Sequence, residues 1–187
     1  MLLPSFAAVT RSRLAVLAAV ALLAACSPAF NWREVPVAGA GLVAMLPCKA
    51  DRATRALPLG AESVQVDMTG CEAGGATFAI AHASASGPEQ AEAWLRAWRT
   101  STRAQLGEAQ ATESSASLPR ATAVPAPLRL EIAAPPQGAS ASAMPLQVLW
   151  FAQSQKDGSV ALYQATVLGR PSSAEAAQTF FEGLRLP

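Results

Sequence analysis

The segment Gln147–Leu168, QVLWFAQSQKDGSVALYQATVL, decides the fold of this chain. Its two arms, Gln147–Gln153 and Val160–Leu168, are rich in the β-branched and aromatic residues that strands favour. The pair Asp157-Gly158 lies between the arms, and an Asp-Gly pair in this position is typical of a tight hairpin turn. The segment therefore predicts an antiparallel hairpin.

Shorter strand patterns precede this hairpin. In Glu62–Thr69 the apolar residues Val64, Val66 and Met68 alternate with polar ones, which predicts a strand with one buried and one solvated face. The other predicted strands are residues 32–37, 42–46, 54–57, 76–82 and 128–132. Gly70–Gly75 predicts a turn, and the Pro, Ala and Ser content near residues 133–143 predicts a loose loop.

Two helices complete the predicted domain. The first begins at Pro88, which suits the first helical position, and runs to about Leu106, where Gly107 follows. Its apolar residues fall on one stripe: Ala91, Trp94, Leu95, Trp98 and Leu106. Ser172–Glu175 is a capping-box pattern and predicts a second helix that carries Phe180 and Phe181. Residues 31–187 are thus expected to form a single α+β domain, an antiparallel sheet with two main helices packed on it.

Three segments resemble the PsbP-like fold: Leu42–Pro47, Gly75–Ile80 and Phe180–Leu186. The resemblance implies an antiparallel sheet sandwiched by helices, and domains of this kind are mostly accessory, binding or assembly factors. Fold does not fix function, so the resemblance bears on architecture first. Two features depart from it: the pair Cys48 and Cys71 is not general to the fold, and residues 108–145 match it poorly.

The first 25 residues are typical of a bacterial export signal. Arg11 and Arg13 precede the apolar run Leu14–Ala25, which is too short to span a bilayer. Leu23–Cys26 resembles a lipobox, so we expect cleavage before Cys26 and lipidation of its thiol, with residues 26–30 as a very short tether. By the same resemblance, Ser27 favours the inner leaflet of the outer membrane, facing the periplasm. The alternative is an ordinary signal peptide that leaves Cys26 as a free thiol.

Charge and cysteine content narrow the function further. Removal of residues 1–25 takes away two arginines and no acidic residue, which leaves 12 basic and 13 acidic side chains. This balance disfavours a nucleic-acid partner. Cys48 and Cys71 would lie in an oxidising compartment, which favours a disulfide. A redox or metal pair is the alternative, although it lacks a C-x-x-C spacing.

Few residues suggest chemistry. His82 is the single histidine, and the Gly-x-Ser-x-Gly pattern of a nucleophile elbow does not occur in the sequence. Asp67 and Glu72 are expected to be solvated carboxylates. The sequence therefore predicts no catalytic residue, no metal site and no cofactor, and an enzyme that uses His82 stays as a weaker alternative.

One surface suggests binding. Arg96, Arg99 and Arg103 share a helical stripe that could meet an anionic partner, but Glu92 precedes Arg96 by four residues, so a salt-bridged solvent face is the simpler interpretation. Trp94 and Trp98 could line a groove or cover the sheet. We expect a non-catalytic lipoprotein that binds or positions an envelope protein or cell-wall partner. A lipid-binding or small-molecule-binding module with a cleft between helix and sheet is the second interpretation, and the oligomeric state is left open.

Overall fold

The computed structural model of the chain describes residues 29–37, 39, 41–106, 109–133 and 144–187. The expected signal peptide, Cys26, Gly107 and most of the expected loop near residues 133–143 lie outside the described residues. No helix in the described ranges is both long and apolar enough to cross a membrane.

Nine strands and two helices make up the described part of the chain. The strands are β1 (Arg33–Val37), β2 (Leu42–Leu46), β3 (Asp51–Leu59), β4 (Glu62–Ala73), β5 (Ala76–Ala85), β6 (Thr112–Ser115), β7 (Leu128–Ile132), β8 (Leu146–Ser154) and β9 (Val160–Gly169). The helices are α1 (Pro88–Leu106) and α2 (Ala176–Glu182).

Seven strands form one antiparallel sheet in the order β3-β4-β5-β9-β8-β7-β6. The predicted hairpin is confirmed as β8–β9, with Trp150 opposite Gln164 at its middle. Strands β1 and β2 pair with each other and form a separate two-stranded layer, and Val43 of β2 also forms an antiparallel bridge with Arg185. The α+β class with an antiparallel sheet and two helices is therefore confirmed.

Both faces of the large sheet are covered, and we name them by what covers them. The α1 face packs against Trp94, Leu95 and Trp98 of α1. The α2 face packs against α2, the β1–β2 hairpin and the C-terminal residues, with Phe180 at its centre. The C-terminal segment is fixed to the hairpin because Arg185 N–H donates to Val43 O at 2.8 Å.

The disulfide between Cys48 and Cys71 is confirmed. Cys48 follows β2, and Cys71 lies on the α2 face of β4. The bridge therefore ties the hairpin layer to the sheet covalently.

Two local predictions are wrong, and one strand was not predicted. The turn predicted at Gly70–Gly75 is shorter, because β4 continues to Ala73 and the chain reverses only at Gly74 and Gly75, which have φ of +56° and +82°. Gly70 instead allows a close approach between strands, since a Cβ there would lie 2.6 Å from Phe78 O. Ser172 does not cap α2: the N-cap is Glu175, without a side-chain cap bond, and Ser172 N–H donates to Gly74 O. Strand β6 was not predicted, because all four of its residues are exposed and carry no apolar alternation.

Candidate binding groove

A groove of about 780 Å³ opens between α2 and the edge of the sheet on the α2 face. Its floor is apolar and consists of Leu149 from β8, Phe181 from α2, and Leu184 and Leu186 from the C-terminal segment. The groove thus lies on the face that carries the disulfide, and α1 takes no part in it.

One wall of this groove is the segment 115–120, which follows β6. The segment is anchored at both ends: Ala116 N–H donates to Pro127 O at 3.1 Å, and Thr122 N–H donates to Ala152 O at 2.8 Å. A turn between these anchors is closed by Ala121 N–H on Leu118 O at 3.1 Å. Backbone bonds to two other parts of the fold therefore hold the wall in place.

Three arginines surround the groove, and two of them form ion pairs with carboxylates of the protein. Arg129 donates to Glu131 Oε1 at 2.7 Å, and its guanidinium lies 4.5 Å from the centre of the Phe181 ring. Arg185 pairs with Glu34. Arg120 is exposed and makes no ion pair with any residue that the structure describes.

Arg120 also has an unusual backbone. Its φ is +67°, and it is the one non-glycine residue with positive φ in the described part of the chain. The left-handed conformation is unfavourable for a residue with a Cβ, by about 1–2 kcal/mol. A strained backbone conformation persists where the contacts around the residue hold it in place, and such residues cluster at binding and catalytic sites.

The tryptophans of α1 are buried against the sheet. Trp94 is 7% exposed and Trp98 is 5% exposed, and the Nε1–H of Trp94 donates to Glu62 Oε1 at 3.0 Å. Their large apolar surfaces fill the space between α1 and the α1 face. The structure therefore does not bring them to the groove.

The arginines of α1 lie on its outer side. Arg103 Nε lies 2.9 Å from a carboxylate oxygen of Glu113 on β6, and Arg99 lies 3.4 Å from the other oxygen. Arg96 is exposed and forms no ion pair within the described ranges, so the partner expected for it, Glu92, is not engaged. Arg99 and Arg103 are thus held by β6, an edge strand that the sequence did not predict.

His82 is buried on the α2 face of β5, opposite Tyr163 on β9. It is 8% exposed, and its ring centre lies 5.1 Å from that of Tyr163. Its Nδ1 lies 3.9 Å from Asp67 Oδ2, which is beyond hydrogen-bond distance. Thr54 donates to the other carboxylate oxygen of Asp67 at 2.6 Å. Both His82 nitrogens and the Tyr163 hydroxyl lack a hydrogen-bond partner among the described residues.

Burial dominates the titration of both rings. Loss of solvent lowers the pKa of His82 from its ordinary value of 6.5, and the nearby Asp67 carboxylate opposes this shift only in part. Burial likewise raises the pKa of the Tyr163 hydroxyl above its ordinary range. Burial therefore favours the neutral form of His82.

Two shallow clefts meet at His82. One of about 510 Å³ is lined by His82, Lys156 and Asp157, and one of about 400 Å³ by His82, Asp67 and Trp94. Asp157 is occupied by its own turn, since Ser159 donates to it from both its hydroxyl and its backbone N–H, and these bonds lower the pKa of the carboxyl. Within the described ranges, no group of three or more His, Cys, Asp or Glu side chains could hold a metal ion.

The sequence matches no protein-family model and no curated protein sequence. Sequence reasoning missed the groove, because its wall lies in residues 108–145, where the pattern is weak. The one available signal was Arg120 after Pro119, an exposed cation at a turn.

Proposed function

We propose that this chain is a membrane-anchored envelope lipoprotein whose domain is a non-catalytic binding module, with the groove beside α2 as its binding site. The groove of about 780 Å³ carries this proposal. Ligand pockets are concave and mainly apolar, hold a few polar groups, and measure about 300–1,000 Å³. An apolar floor with arginines at its rim has this character.

The position of the anchor supports the membrane part of the proposal. Phe30 already packs into the domain: its ring centre lies 5.9 Å from that of Trp32 and 6.4 Å from that of Phe78. Only Ser27–Ala29 separate Cys26 from Phe30. A lipid on Cys26 would therefore hold the domain close to the bilayer surface, in the periplasm and by preference at the outer membrane.

The arrangement of layers supports the PsbP-like part. An antiparallel sheet with α1 on one face and α2 on the other is a sandwich of the kind the resemblance implies. The expectation of an accessory, binding or assembly role follows from the same resemblance, and the groove gives it a location. An envelope protein or a cell-wall partner is the first candidate for the bound partner, and a lipid or small molecule is the second.

Intact mass of the protein extracted from membranes tests the anchor. We expect the mass of residues 26–187 plus acyl chains, and alkylation of Cys48 and Cys71 only after reduction. Cys26→Ser is the matched control and should lose the acyl chains. A membrane-extracted wild-type chain without acyl mass would contradict the lipoprotein proposal.

Site-specific photo-crosslinking of the full chain in cells tests the groove. Benzoylphenylalanine at Ser117, an exposed residue of the groove wall, should give an adduct of one defined mass. The same group at Ser154, exposed at the end of β8, is the control and should not give that adduct. The adduct should weaken with Arg120→Asp. Equal adducts at both positions would contradict a binding role for the groove.

A further inference from the structure

We propose that the groove beside α2 binds a single-chain fatty acid, with its carboxylate at Arg120 and its aliphatic chain along the apolar floor. This inference rests on the proposed function, because it requires that the groove is a binding site. It goes further in naming the class of ligand, a long-chain carboxylate.

The floor suits an aliphatic chain. Leu149, Phe181, Leu184 and Leu186 come from three different parts of the fold, belong to one apolar cluster and all line the groove. The side chain of Leu118, half-buried in the wall, packs against the same core. Because these four side chains are already buried in the protein, the driving force for binding comes mainly from the methylene groups of the ligand, which leave water when they enter the groove.

The charges at the rim suit one anionic head group. The lining carries three arginines and one carboxylate, that of Glu182, which accepts a hydrogen bond from Gln178 at 2.7 Å. Because Arg129 and Arg185 already have Glu131 and Glu34 as partners, Arg120 is the cation left to meet a ligand. The size of the groove, about 780 Å³, favours a ligand with one chain over a two-chain phospholipid.

The backbone at Arg120 places this cation. A positive φ of +67° turns the chain sharply after Pro119 and sets Arg120 among the residues that line the groove. Glycine would adopt this conformation without strain. An arginine at this position therefore brings a charge to the groove at the expense of stability, which is the pattern expected when the side chain has a binding role.

Photolabelling of the full chain in a non-ionic detergent tests the inference. The probe is a palmitic acid analogue with a diazirine in its chain, and the matched probe has the same chain with a trimethylammonium head. We expect the carboxylate probe to label residues 115–120 and 181–186 about fivefold more than the cationic probe, because one partly exposed ion pair changes the affinity by roughly this factor. Arg120→Gln should abolish the preference, and Arg96→Gln, an exposed unpaired arginine on α1, should keep it.

Five outcomes would overturn the inference. Equal labelling by both heads would remove the role of charge, and labelling unchanged by Arg120→Gln would remove the role of that residue. Competition by phosphatidylglycerol but not by palmitate would assign the groove to a two-chain lipid instead. A Ser117 adduct with a protein or glycan, without carboxylate labelling, would overturn the fatty acid and leave the binding function intact. If neither the Ser117 adduct nor carboxylate labelling were observed, both the fatty acid inference and the proposed binding function would be overturned.

Discussion

The two faces of the sheet differ in how completely their polar groups are satisfied. On the α1 face two of the three buried indoles have partners, since Trp150 Nε1–H donates to Gln164 at 2.8 Å and Trp94 Nε1–H to Glu62 at 3.0 Å. One atom of α1, Arg99 Nε, is buried without a partner among the described residues. On the α2 face, His82 and Tyr163 are buried without partners among the described residues, and a groove opens beside α2. Since unpaired buried polar groups are unfavourable, we infer that the α1 face contributes more to stability, whereas the proposed binding groove lies on the α2 face.

The largest expected effect comes from truncating the α1 face. Trp98→Ala removes a side chain that is 5% exposed and should lower the free energy of unfolding by about 3–5 kcal/mol, because it leaves a cavity between α1 and the sheet. Urea denaturation would measure this loss. Trp32→Ala, on the half-buried margin of the α2 face, is the matched control and should have a smaller effect. Equal losses would remove the distinction between the faces.

The disulfide should have the next largest effect, this time on the α2 face. Replacing both Cys48 and Cys71 by Ala should lower the free energy of unfolding by about 3 kcal/mol, because the bridge no longer restricts a loop with a sequence separation of 23 in the unfolded chain. Reduction of the wild-type protein in the same urea titration should give a similar loss. A negligible change in either experiment would mean that packing alone holds the hairpin layer to the sheet.

These two effects depend on features that the sequence predicted, because both have a local signal. The Asp157-Gly158 turn between two strand patterns predicted the central hairpin, and the stripe that contains Trp94 and Trp98 predicted which side of α1 is buried. A pair of cysteines in an expected oxidising compartment predicted the bridge. Periodicity could not predict β6, whose four residues are exposed and are held by pairing with β7.

The candidate site was largely beyond sequence reasoning, because its residues meet only through tertiary structure. Arg120 and Leu186 are 66 positions apart in the sequence yet line the same groove. The sequence indicates a different surface, formed by the arginines and tryptophans of α1, because helical spacing can be recognised in a sequence. Whether that surface binds a partner stays a prediction, and the structure places Trp94 and Trp98 in the core instead of on it.

The unpaired polar groups of the α2 face predict a pH dependence of stability. Because the pKa of His82 is lowered in the folded protein, the unfolded chain binds a proton below about pH 6.5 that the folded protein does not yet bind. Stability should therefore be level above pH 7.5, fall as the pH drops through 6.5, and level off below the folded pKa. His82→Phe keeps a ring beside Tyr163 and should remove this component. An identical pH profile for both proteins would exclude His82 as its source.

A smaller effect of opposite sign is expected in the groove wall. Arg120→Gly should raise the free energy of unfolding by about 1 kcal/mol, because glycine adopts a φ of +67° without strain. The same variant should lose labelling by the fatty acid probe. Arg120→Ala is the control, since it removes the charge and retains a Cβ, so labelling should fall without the gain in stability. A loss of stability in the glycine variant would mean that the Arg120 side chain itself supports the fold.

The smallest effect should come from the outer side of α1. Glu113→Gln weakens the contacts to Arg99 and Arg103, and should lower the free energy of unfolding by about 1 kcal/mol or less, because partly exposed ion pairs contribute little. The difference from wild type should shrink in high salt, which screens such pairs. Arg96→Gln, which breaks no ion pair in the described part of the chain, is the control and should be neutral in the same urea titration. If Arg96→Gln or Glu113→Gln altered the Ser117 adduct, the outer side of α1 would share in binding, and the division of roles between the two faces would be wrong.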